Sequence, residues 1–409
     1  MNAARSHRPS VCYVVPGHDL MSSIGPSRNV LNLARALEPW ADVTVAFRRV
    51  ADERVPDDIR VLELQPGGDV ATIDDAATRG IGYGEFVRYL LDLRRFAAGP
   101  LRNFDIVLEK SWLLSGYLSS ICRARGQLGV PIENIVPNPQ HAAGRQFMKL
   151  MRLHVGRWIA GRCLRGAPLV IAETEFLKRE ISKYWGVDAK RIAVVDLGVD
   201  RDLFCPRNQR EVRTRFGMPL ERTILLYVGV LDQTHDLEPV LRELGSRTDL
   251  DVELHVVGDG ARRKEYESMV IPGAVRVVFH GRVAHHEVPD YIAAGDLCLA
   301  PYDPKAFSSG ELGYSTMKIP EYLSVGRPVV SVPSGRIRSL LVEGQTGFLF
   351  DNTRAAWKDF LARVPSREQL RQMGEAAGRT QLQSWEDTAR QYFELCTRCL
   401  TAAGVPARE

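Results

Sequence analysis

A lysine and a glutamate stand three positions apart, at Lys318 and Glu321, where the apolar pattern indicates a helix. Residues three apart share one face of a helix, so both side chains project from the same side near its amino end. A carboxylate there can accept hydrogen bonds from two vicinal ribose hydroxyls, while a lysine and a helix amino end favour phosphate. Taken alone, the pair is more typical of a solvated surface pair that precedes a core strand.

The residues around the pair favour the nucleotide interpretation. Residues 314–330, YSTMKIPEYLSVGRPVV, indicate a loop, a helix, a Gly-Arg-Pro break and a buried strand, and EGQTGFLF follows at 343–350. This string resembles the donor-nucleotide signature of the GT-B glycosyltransferases of family 4. The resemblance implies that Glu321 binds the ribose of a nucleotide sugar and that Ser315 and Thr316 contact the donor. It further implies that Lys318 is catalytic, because its charge would stabilise the departing phosphate.

Strands alternate with helices along the chain, which predicts an α/β fold with parallel sheets and crossover helices. A chain of 409 residues exceeds one core, so two or three domains are expected, and polar residues 205–215 are predicted to link them. The resemblance implies two Rossmann-like domains facing across a cleft, which is the GT-B fold. Residues 1–205 would form the acceptor-binding domain and residues 206–383 the nucleotide-sugar-binding domain. The helix at 384–409 would cross back to the first domain.

Glycines follow several of the predicted strands. Glycine lets the main chain approach a ligand, and a proline at a helix start, as at Pro26, leaves the helix dipole pointing at an anion. The turn at 258–260 is also compatible with a plain strand-to-helix connection. A dinucleotide-binding fingerprint is incomplete there, because Arg263 replaces its third glycine. In the family that the chain resembles, such turns contact the donor, and a later strand end reads the base through its backbone. The donor-binding residues implied are Gly25, Ser27, Gly229, Gly258, Gly260, Arg282 and Val283.

Four positions depart from the family pattern, and one of them is Asp236, where the family carries a glycine. Val230 stands where the family carries an arginine and His235 where it carries a lysine, and those cations hold the donor's diphosphate. Gly313 replaces a family glutamate. Each lost charge-assisted hydrogen bond costs roughly 1.5–3 kcal/mol, so donor binding would weaken severely without compensation. Lys305 and Lys318 are the predicted compensating cations, and the alternative is an atypical donor such as a nucleotide cyclitol.

Candidates for acceptor chemistry lie in the first half of the chain. Glu109 directly follows a buried strand, and His141 lies in a loop after the next apolar stretch. Ligands bind at the carboxyl ends of the strands in an open parallel sheet, so both residues are predicted to be catalytic. A solvated loop histidine is the alternative for His141. No catalytic metal is predicted, because the Asp-x-Asp motif at Asp249 and Asp251 leads straight into a strand.

Composition and charge exclude other classes of protein. A hydrophobic content of 45% with 25% charged residues is typical of a soluble globular protein, and a net charge of +4 does not support a nucleic-acid partner. No apolar run is long enough to span a bilayer, and seven scattered cysteines indicate a reducing cytoplasm. Residues 145–165 are predicted to form a basic amphipathic helix, which would contact an anionic membrane weakly or face a phosphorylated acceptor. A packed helix with solvated arginines is the alternative.

The family resemblance implies a metal-independent, retaining glycosyltransferase of the EC 2.4 class, working in bacterial glycoconjugate or secondary-metabolite synthesis. Retention of configuration is implied by the resemblance. The enzyme would move a sugar from a nucleoside diphosphate sugar to a hydroxyl or amine of a small-molecule or lipid-linked acceptor, with no cofactor besides that co-substrate. Three alternatives stay open: an enzyme with an atypical donor, a nucleotide-sugar epimerase that shares the GT-B architecture, and a non-catalytic sugar-nucleotide-binding module.

Overall fold

The computed structural model describes residues 8–20, 25–50, 58–64, 83–133, 147–307 and 310–402. The chain divides into two compact units. The first unit comprises Met1–Leu197 and Trp385–Glu409, and the second comprises Gly198–Ser384. The division after Leu197 places residues 198–205, which the sequence assigns to the first domain, in the second unit.

The first unit is built on a sheet of seven parallel strands. The strands are β1 (Ser10–Val15), β2 (Asp42–Phe47), β3 (Arg60–Glu63), β4 (Ile106–Lys110), β5 (Leu128–Glu133), β6 (Val170–Ala172) and β7 (Ile192–Val194). The helices between them are α1 (Gly25–Leu37), α2 (Tyr83–Ala98), α3 (Tyr117–Arg123), α4 (Phe147–Arg165) and α5 (Glu175–Trp185). The strand order is β3-β2-β1-β4-β5-β6-β7, so the direction of winding reverses between β1 and β4, where Val11 lies opposite Ile106. Ligands bind outside the carboxyl ends of the strands at such a reversal.

The second unit is built on a sheet of six parallel strands. The strands are β8 (Thr223–Val228), β9 (Val252–Val257), β10 (Val277–Gly281), β11 (Leu297–Ala300), β12 (Val329–Ser331) and β13 (Gly347–Leu349). The helices are α6 (Gln209–Phe216), α7 (Glu238–Leu244), α8 (Arg263–Ser268), α9 (Val288–Ala294), α10 (Lys318–Ser324), α11 (Ile337–Leu340), α12 (Arg354–Leu361) and α13 (Arg367–Gly378). The order β10-β9-β8-β11-β12-β13 places the reversal between β8 and β11, where Leu225 lies opposite Leu297.

The central strands of the second sheet are apolar on both faces because helices cover both. Leu226 of β8 and Cys298 of β11 belong to one buried cluster, while Leu225 and Leu299 belong to another. Successive side chains of a strand point to opposite faces, so each strand contributes its side chains alternately to the two clusters. This explains why continuous apolar runs, rather than alternating ones, mark these strands in the sequence.

The last helix, α14 (Trp385–Ala402), belongs to the first unit, as the resemblance implies. Phe393 stacks on Trp40 with ring centroids 6.3 Å apart, and the Thr388 hydroxyl donates to the Asp196 carbonyl oxygen at 3.1 Å. Tyr392 is buried on the same helix. The prediction that the C-terminal helix returns to the first domain is confirmed.

The predicted linker at 205–215 is a helix over most of its length. The Asn208 side chain caps α6 by accepting from the backbone N–H groups of Arg210 and Glu211. The helix packs into the second unit through Arg213, a buried guanidinium that donates to an Asp296 carboxylate oxygen at 2.6 Å. The linker prediction is therefore wrong, because a polar helix with a buried ion pair lacks the apolar pattern that marks helices in sequence.

Helix α4 also differs from its prediction. Its buried side is formed partly by small residues such as Gly161, with Leu164 in a cluster beneath it. Val155 and Trp158 are 53% and 65% exposed, so apolar groups share the outer face with arginines. The described side chains therefore contradict a basic amphipathic helix with one apolar face. Within the described ranges, no helix is long and apolar enough to span a membrane.

Candidate active site

Three strand ends of the second unit meet through glycine turns. The Gly229 N–H, after β8, donates to the Val257 carbonyl oxygen at 2.9 Å, and the Gly258 N–H donates to the Gly281 carbonyl oxygen at 2.7 Å. A Cβ atom at Gly258 would overlap the carbonyl oxygen of Gly229. Gly229 and Gly258 have φ angles of 153° and 130°, which favour glycine. Only glycine therefore lets these turns pack at the strand ends.

Lys318 lies against the first of these turns. Its Nζ is 3.3 Å from the Tyr227 hydroxyl oxygen, 4.4 Å from the centroid of the Tyr227 ring and 5.4 Å from that of Tyr302. A Cβ atom at Gly229 would stand 2.7 Å from that Nζ. The ammonium group is therefore held between two tyrosine rings at the carboxyl ends of β8 and β11, where an open parallel sheet binds ligands.

Lys318 gains or loses its proton close to neutral pH. Burial lowers the pKa of its ammonium group to about 7, although the neighbouring carboxylates of Asp232 and Glu321 act to raise it. A lysine in this state can gain its proton when an anion arrives. Glu321 is close enough to influence Lys318 and lies one turn further along α10, as the spacing predicts.

A second group of polar side chains surrounds one carboxylate oxygen of Asp232. Oδ1 accepts hydrogen bonds from the backbone N–H of Thr234 at 2.9 Å and of His235 at 3.1 Å. It also accepts from the Thr234 hydroxyl at 2.8 Å and lies 2.9 Å from Nδ1 of His235. Burial opposes ionisation of Asp232, but these hydrogen bonds hold the pKa of its carboxyl well below its usual range. Burial and the nearby Lys318 charge lower the pKa of His235 to about 4, so the ring is neutral at pH 7.

The remaining residues of the second unit that are predicted to bind the nucleotide sugar differ in their surroundings. Ser315 and Thr316 are buried, and the Thr316 hydroxyl shares a hydrogen bond with the Tyr302 hydroxyl. Thr316 therefore orients one of the two rings that flank Lys318. Arg282 is exposed just after Gly281, while the side chain of Val283 packs against a buried cluster.

Two of the departures from the family pattern, Val230 and His235, lie in the same region. Val230 directly follows Gly229 and is 47% exposed, and its carbonyl oxygen accepts from the Tyr227 hydroxyl at 2.6 Å. His235 lies beside Tyr302, with ring centroids 5.1 Å apart. Neither position supplies a cation at neutral pH, and Lys318 is the cation that lies against Gly229 in the described part of the chain.

In the first unit, Gly25 begins α1 and Ser27 is buried. Glu109 is 0% exposed, and its carboxylate accepts hydrogen bonds from Trp112 Nε1 at 2.8 Å and from the Ser119 backbone N–H at 2.6 Å. Burial raises the pKa of Glu109. These contacts correct the prediction of a catalytic Glu109, because a fully buried carboxylate bonded to its own unit cannot reach an acceptor. His141 lies outside the described residues.

A buried charged cluster lies next to Glu109 in the structure. Lys110 is 1% exposed and its Nζ is 3.9 Å from a carboxylate oxygen of Glu173, at the end of β6. Burial lowers the pKa of Lys110 and raises that of Glu133 well above 4.5. The sequence carries a signal for this cluster, namely charged residues at the ends of three buried strands. Neighbouring parallel strands bring their carboxyl ends together, so such residues lie close to one another.

The sequence prediction omits Tyr227, Tyr302 and Asp232. Tyr227 lies within the apolar run of β8 and Tyr302 lies two residues after β11, and both approach Lys318 only because β8 and β11 are neighbours in the sheet. Asp232 lies in the string that departs from the family pattern, and its pairing with His235 is not predicted. A histidine three positions after an aspartate, within a turn after a strand, is the signal that could have identified the pair.

The fold and this site define the class of GT-B glycosyltransferases. Sucrose-phosphate synthase from Thermosynechococcus elongatus has a TM-score of 0.73 at 18% identity, covering 96% of this chain and 100% of that one. Anabaena Alr3699/HepE, solved in complex with UDP, also has a TM-score of 0.73, at 15% identity, covering 95% of this chain and 100% of that one. The same Anabaena protein has been solved with UDP-glucose.

Sequence comparison gives the family. The family model described as glycosyl transferases group 1 matches residues 222–364, and that described as glycosyl transferase 4-like domain matches residues 25–198. The D-inositol 3-phosphate glycosyltransferase of Nocardioides sp. is 26% identical over 334 residues, covering 75% of this chain and 70% of the relative. The chain belongs to the glycosyl transferases group 1 family, and it is a glycosyltransferase.

Proposed function

We propose that this enzyme transfers a sugar from a UDP-sugar to a hydroxyl acceptor with retention of configuration. The single observation that carries the proposal is the position of Lys318, between Tyr227 and Tyr302 and against the Gly229 turn, with Glu321 one turn further along α10. Lys318 would meet the diphosphate and Glu321 the ribose hydroxyls. UDP is the proposed nucleotide because Alr3699/HepE was solved with UDP and with UDP-glucose.

The proposed reaction breaks the bond between the anomeric carbon and the diphosphate oxygen, giving an oxocarbenium-like centre. Lys318 stabilises the charge that develops on the departing UDP. The acceptor oxygen then bonds to the anomeric carbon on the face that UDP leaves, and its proton passes to a phosphate oxygen of UDP. A UDP oxygen as the base gives retention without a protein nucleophile.

The acceptor that we propose is a small-molecule or lipid-linked hydroxyl compound that carries an anionic group. The relative of Nocardioides sp. is named for D-inositol 3-phosphate. An aromatic and basic surface of the first unit offers weak membrane contact: Trp158 and Tyr184 are exposed, and Arg157 and Lys183 lie 5.7 and 5.3 Å from the Tyr184 ring centroid. Such rings favour membrane interfaces, and the cations favour anionic headgroups.

Vesicle sedimentation tests the membrane part. Wild type should sediment with anionic vesicles at 0.02 M salt, and the fraction bound should fall at 1 M salt, where the Debye length is about 3 Å. Trp158→Ser should reduce binding at low salt, whereas the exposed control Val342→Ser, in the other unit, should not. No sedimentation of wild type at low salt would refute membrane contact and leave the transfer reaction untouched.

We further propose that the reaction needs no metal ion and no cofactor besides the donor. Across the described part of the chain, no group of three or more His, Cys, Asp or Glu side chains is placed to hold a metal ion. All seven cysteines are free, which is compatible with the cytoplasm as the site of action.

A panel of nucleoside diphosphate sugars, with and without EDTA, tests the proposal. We expect slow hydrolysis and release of UDP from a UDP-sugar, unchanged by EDTA and strongly reduced in Glu321→Gln. Conversion of the sugar without release of UDP would indicate an epimerase, and a response to a nucleotide cyclitol alone would indicate an atypical donor. Binding of UDP-sugar without any product would indicate a non-catalytic module, and each of these results refutes the proposed transfer.

A further inference from the structure

The His235 ring is fixed in orientation by its own turn. Nδ1 lies 2.9 Å from Oδ1 of Asp232 and 3.1 Å from the Thr234 hydroxyl oxygen. Asp232 stays ionised because four donors surround that oxygen, so it accepts and Nδ1 carries the proton. In a neutral imidazole with Nδ1 protonated, Nε2 is a lone-pair acceptor and cannot donate.

The open nitrogen of this ring faces a partly exposed space. The side chain of His235 is 14% exposed. Among the described residues, the hydrogen bonds of the ring are those of Nδ1, and Nε2 is not one of the buried atoms without a partner. Nε2 is therefore not sealed from solvent, and no described protein group is hydrogen-bonded to it.

His235 and Lys318 flank the same two aromatic rings. The His235 ring centroid is 6.4 Å from that of Tyr227 and 5.1 Å from that of Tyr302. Lys318 Nζ is 4.4 Å and 5.4 Å from the same two centroids. A donor whose phosphate meets Lys318 would therefore present the group next to the phosphate, the sugar, within reach of His235.

We propose that His235 is a specificity-determining residue, whose Nε2 accepts a hydrogen bond from one hydroxyl of the transferred sugar. The proposal rests on the proposed function and names the role of a further residue in the same site. A diphosphate oxygen offers only lone pairs at neutral pH, as Nε2 does, so the two repel each other. A sugar hydroxyl offers the proton that Nε2 needs. Asp232 is a positioning residue, which holds the ring and its tautomer.

Calorimetric titration of full-length protein with UDP, UDP-glucose and the 2-, 3-, 4- and 6-deoxy analogues of UDP-glucose tests this role. The variants are His235→Leu, which removes the acceptor, and His235→Gln, whose amide oxygen can replace it. His286→Leu, at an exposed position of the same unit, is the control. Thermal unfolding of each variant verifies that it is folded.

We expect His235→Leu to bind UDP within about twofold of wild type but UDP-glucose roughly tenfold more weakly, as one lost hydrogen bond to a neutral group predicts. His235→Gln should recover most of that loss, and His286→Leu should show none. One deoxy analogue should bind wild type and His235→Leu equally, because it lacks the hydroxyl that donates a hydrogen bond to Nε2.

Equal weakening of UDP and UDP-glucose in His235→Leu would overturn the proposal, since the ring would then act on the nucleotide. Unchanged UDP-glucose affinity in that variant, or the same loss with every deoxy analogue, would also overturn it. Failure of wild type to bind UDP or UDP-glucose would instead refute the proposed donor itself. The two failures are therefore distinguishable.

Discussion

The affinity of the enzyme for UDP is expected to depend on pH through Lys318. Burial lowers the pKa of this side chain to about 7 in the free protein. A bound diphosphate favours the charged ammonium and raises that pKa towards the ordinary lysine value. Above pH 7 the free protein must therefore take up a proton as it binds UDP, and the affinity must fall as pH rises.

The size of the effect follows from the charged fraction of Lys318. With a pKa of about 7, half of the side chains are charged at pH 7 and about 3% at pH 8.5. If the bound form stays protonated, the Kd of UDP rises roughly fifteenfold over this interval, about 1.6 kcal/mol. The phosphates of UDP do not contribute, because the second pKa of a phosphate is about 6.

Titration calorimetry at pH 7.0 to 8.5, in buffers of different ionisation enthalpy, measures both the Kd and the proton uptake. Wild type should take up close to one proton per UDP at pH 8, whereas Lys318→Met should bind weakly with no pH slope. The control Lys264→Met, at an exposed position, should behave as wild type. A constant Kd in wild type, or the same slope in Lys318→Met, would refute the placement of the diphosphate at Lys318.

The same pKa predicts a signature in the stability of the free protein. The unfolded chain keeps its Lys318 proton up to a pKa of about 10.4, whereas the folded chain releases it near pH 7. Between these values the unfolded state binds more protons, so the Lys318 contribution to the free energy of unfolding increases with pH. Denaturant unfolding at pH 7 and 9 should show that Lys318→Met removes this increase.

Three further changes test the site and its support. Glu321→Gln should weaken UDP binding by roughly 1–3 kcal/mol in the same calorimetric assay while the unfolding curve stays unchanged; equal affinity would remove Glu321 from the ribose site. Gly258→Ala should destabilise the second unit by roughly 2 kcal/mol or more, because its Cβ overlaps a backbone carbonyl. The control Gly273→Ala, with a φ of 85° and open space around it, should lower the stability clearly less. Similar losses in the two variants would show that backbone strain alone matters. Lys110→Met should cost roughly 3 kcal/mol of stability by leaving a buried carboxylate without its cation. Glu133→Gln should change stability by less than about 1 kcal/mol, because burial raises the pKa of the Glu133 carboxyl well above 4.5. A greater loss in Glu133→Gln would mean that Glu133 is ionised.

The predictable part of this fold is the part fixed by apolar runs. Strand β11 (Leu297–Ala300) is an uninterrupted apolar run, because it is buried on both faces between helices. Helix α6 could not be found in this way. Its apolar contacts, buried Val212 and Phe216 stacked on Tyr291, stand among six polar residues, and the Asn208 cap and the Arg213–Asp296 ion pair add stability without an apolar period.

Some residues of the candidate site could likewise be predicted from the sequence, and others could not. Gly229 and Gly258 were predictable, because a glycine after a buried strand marks a turn whose backbone needs a positive φ. Tyr227 and Tyr302 were not, because both lie beside Lys318 only through the pairing of β8 with β11. Glu109 shows the opposite error: a carboxylate at a strand end indicates a ligand site, but here it bonds within its own unit.

The charge around Lys318 links these observations. Asp232 and Glu321 are close enough to act on its pKa, while His235 is neutral at pH 7, so these four side chains together carry no surplus of positive charge. A site of this kind attracts a diphosphate weakly until Lys318 gains its proton. In the proposed binding mode, the binding energy then comes largely from neutral hydroxyls, those of the ribose at Glu321 and that of the sugar at His235. We therefore expect the enzyme to distinguish an intact UDP-sugar from free UDP more sharply than a site with several fixed cations would, which also favours release of UDP after transfer.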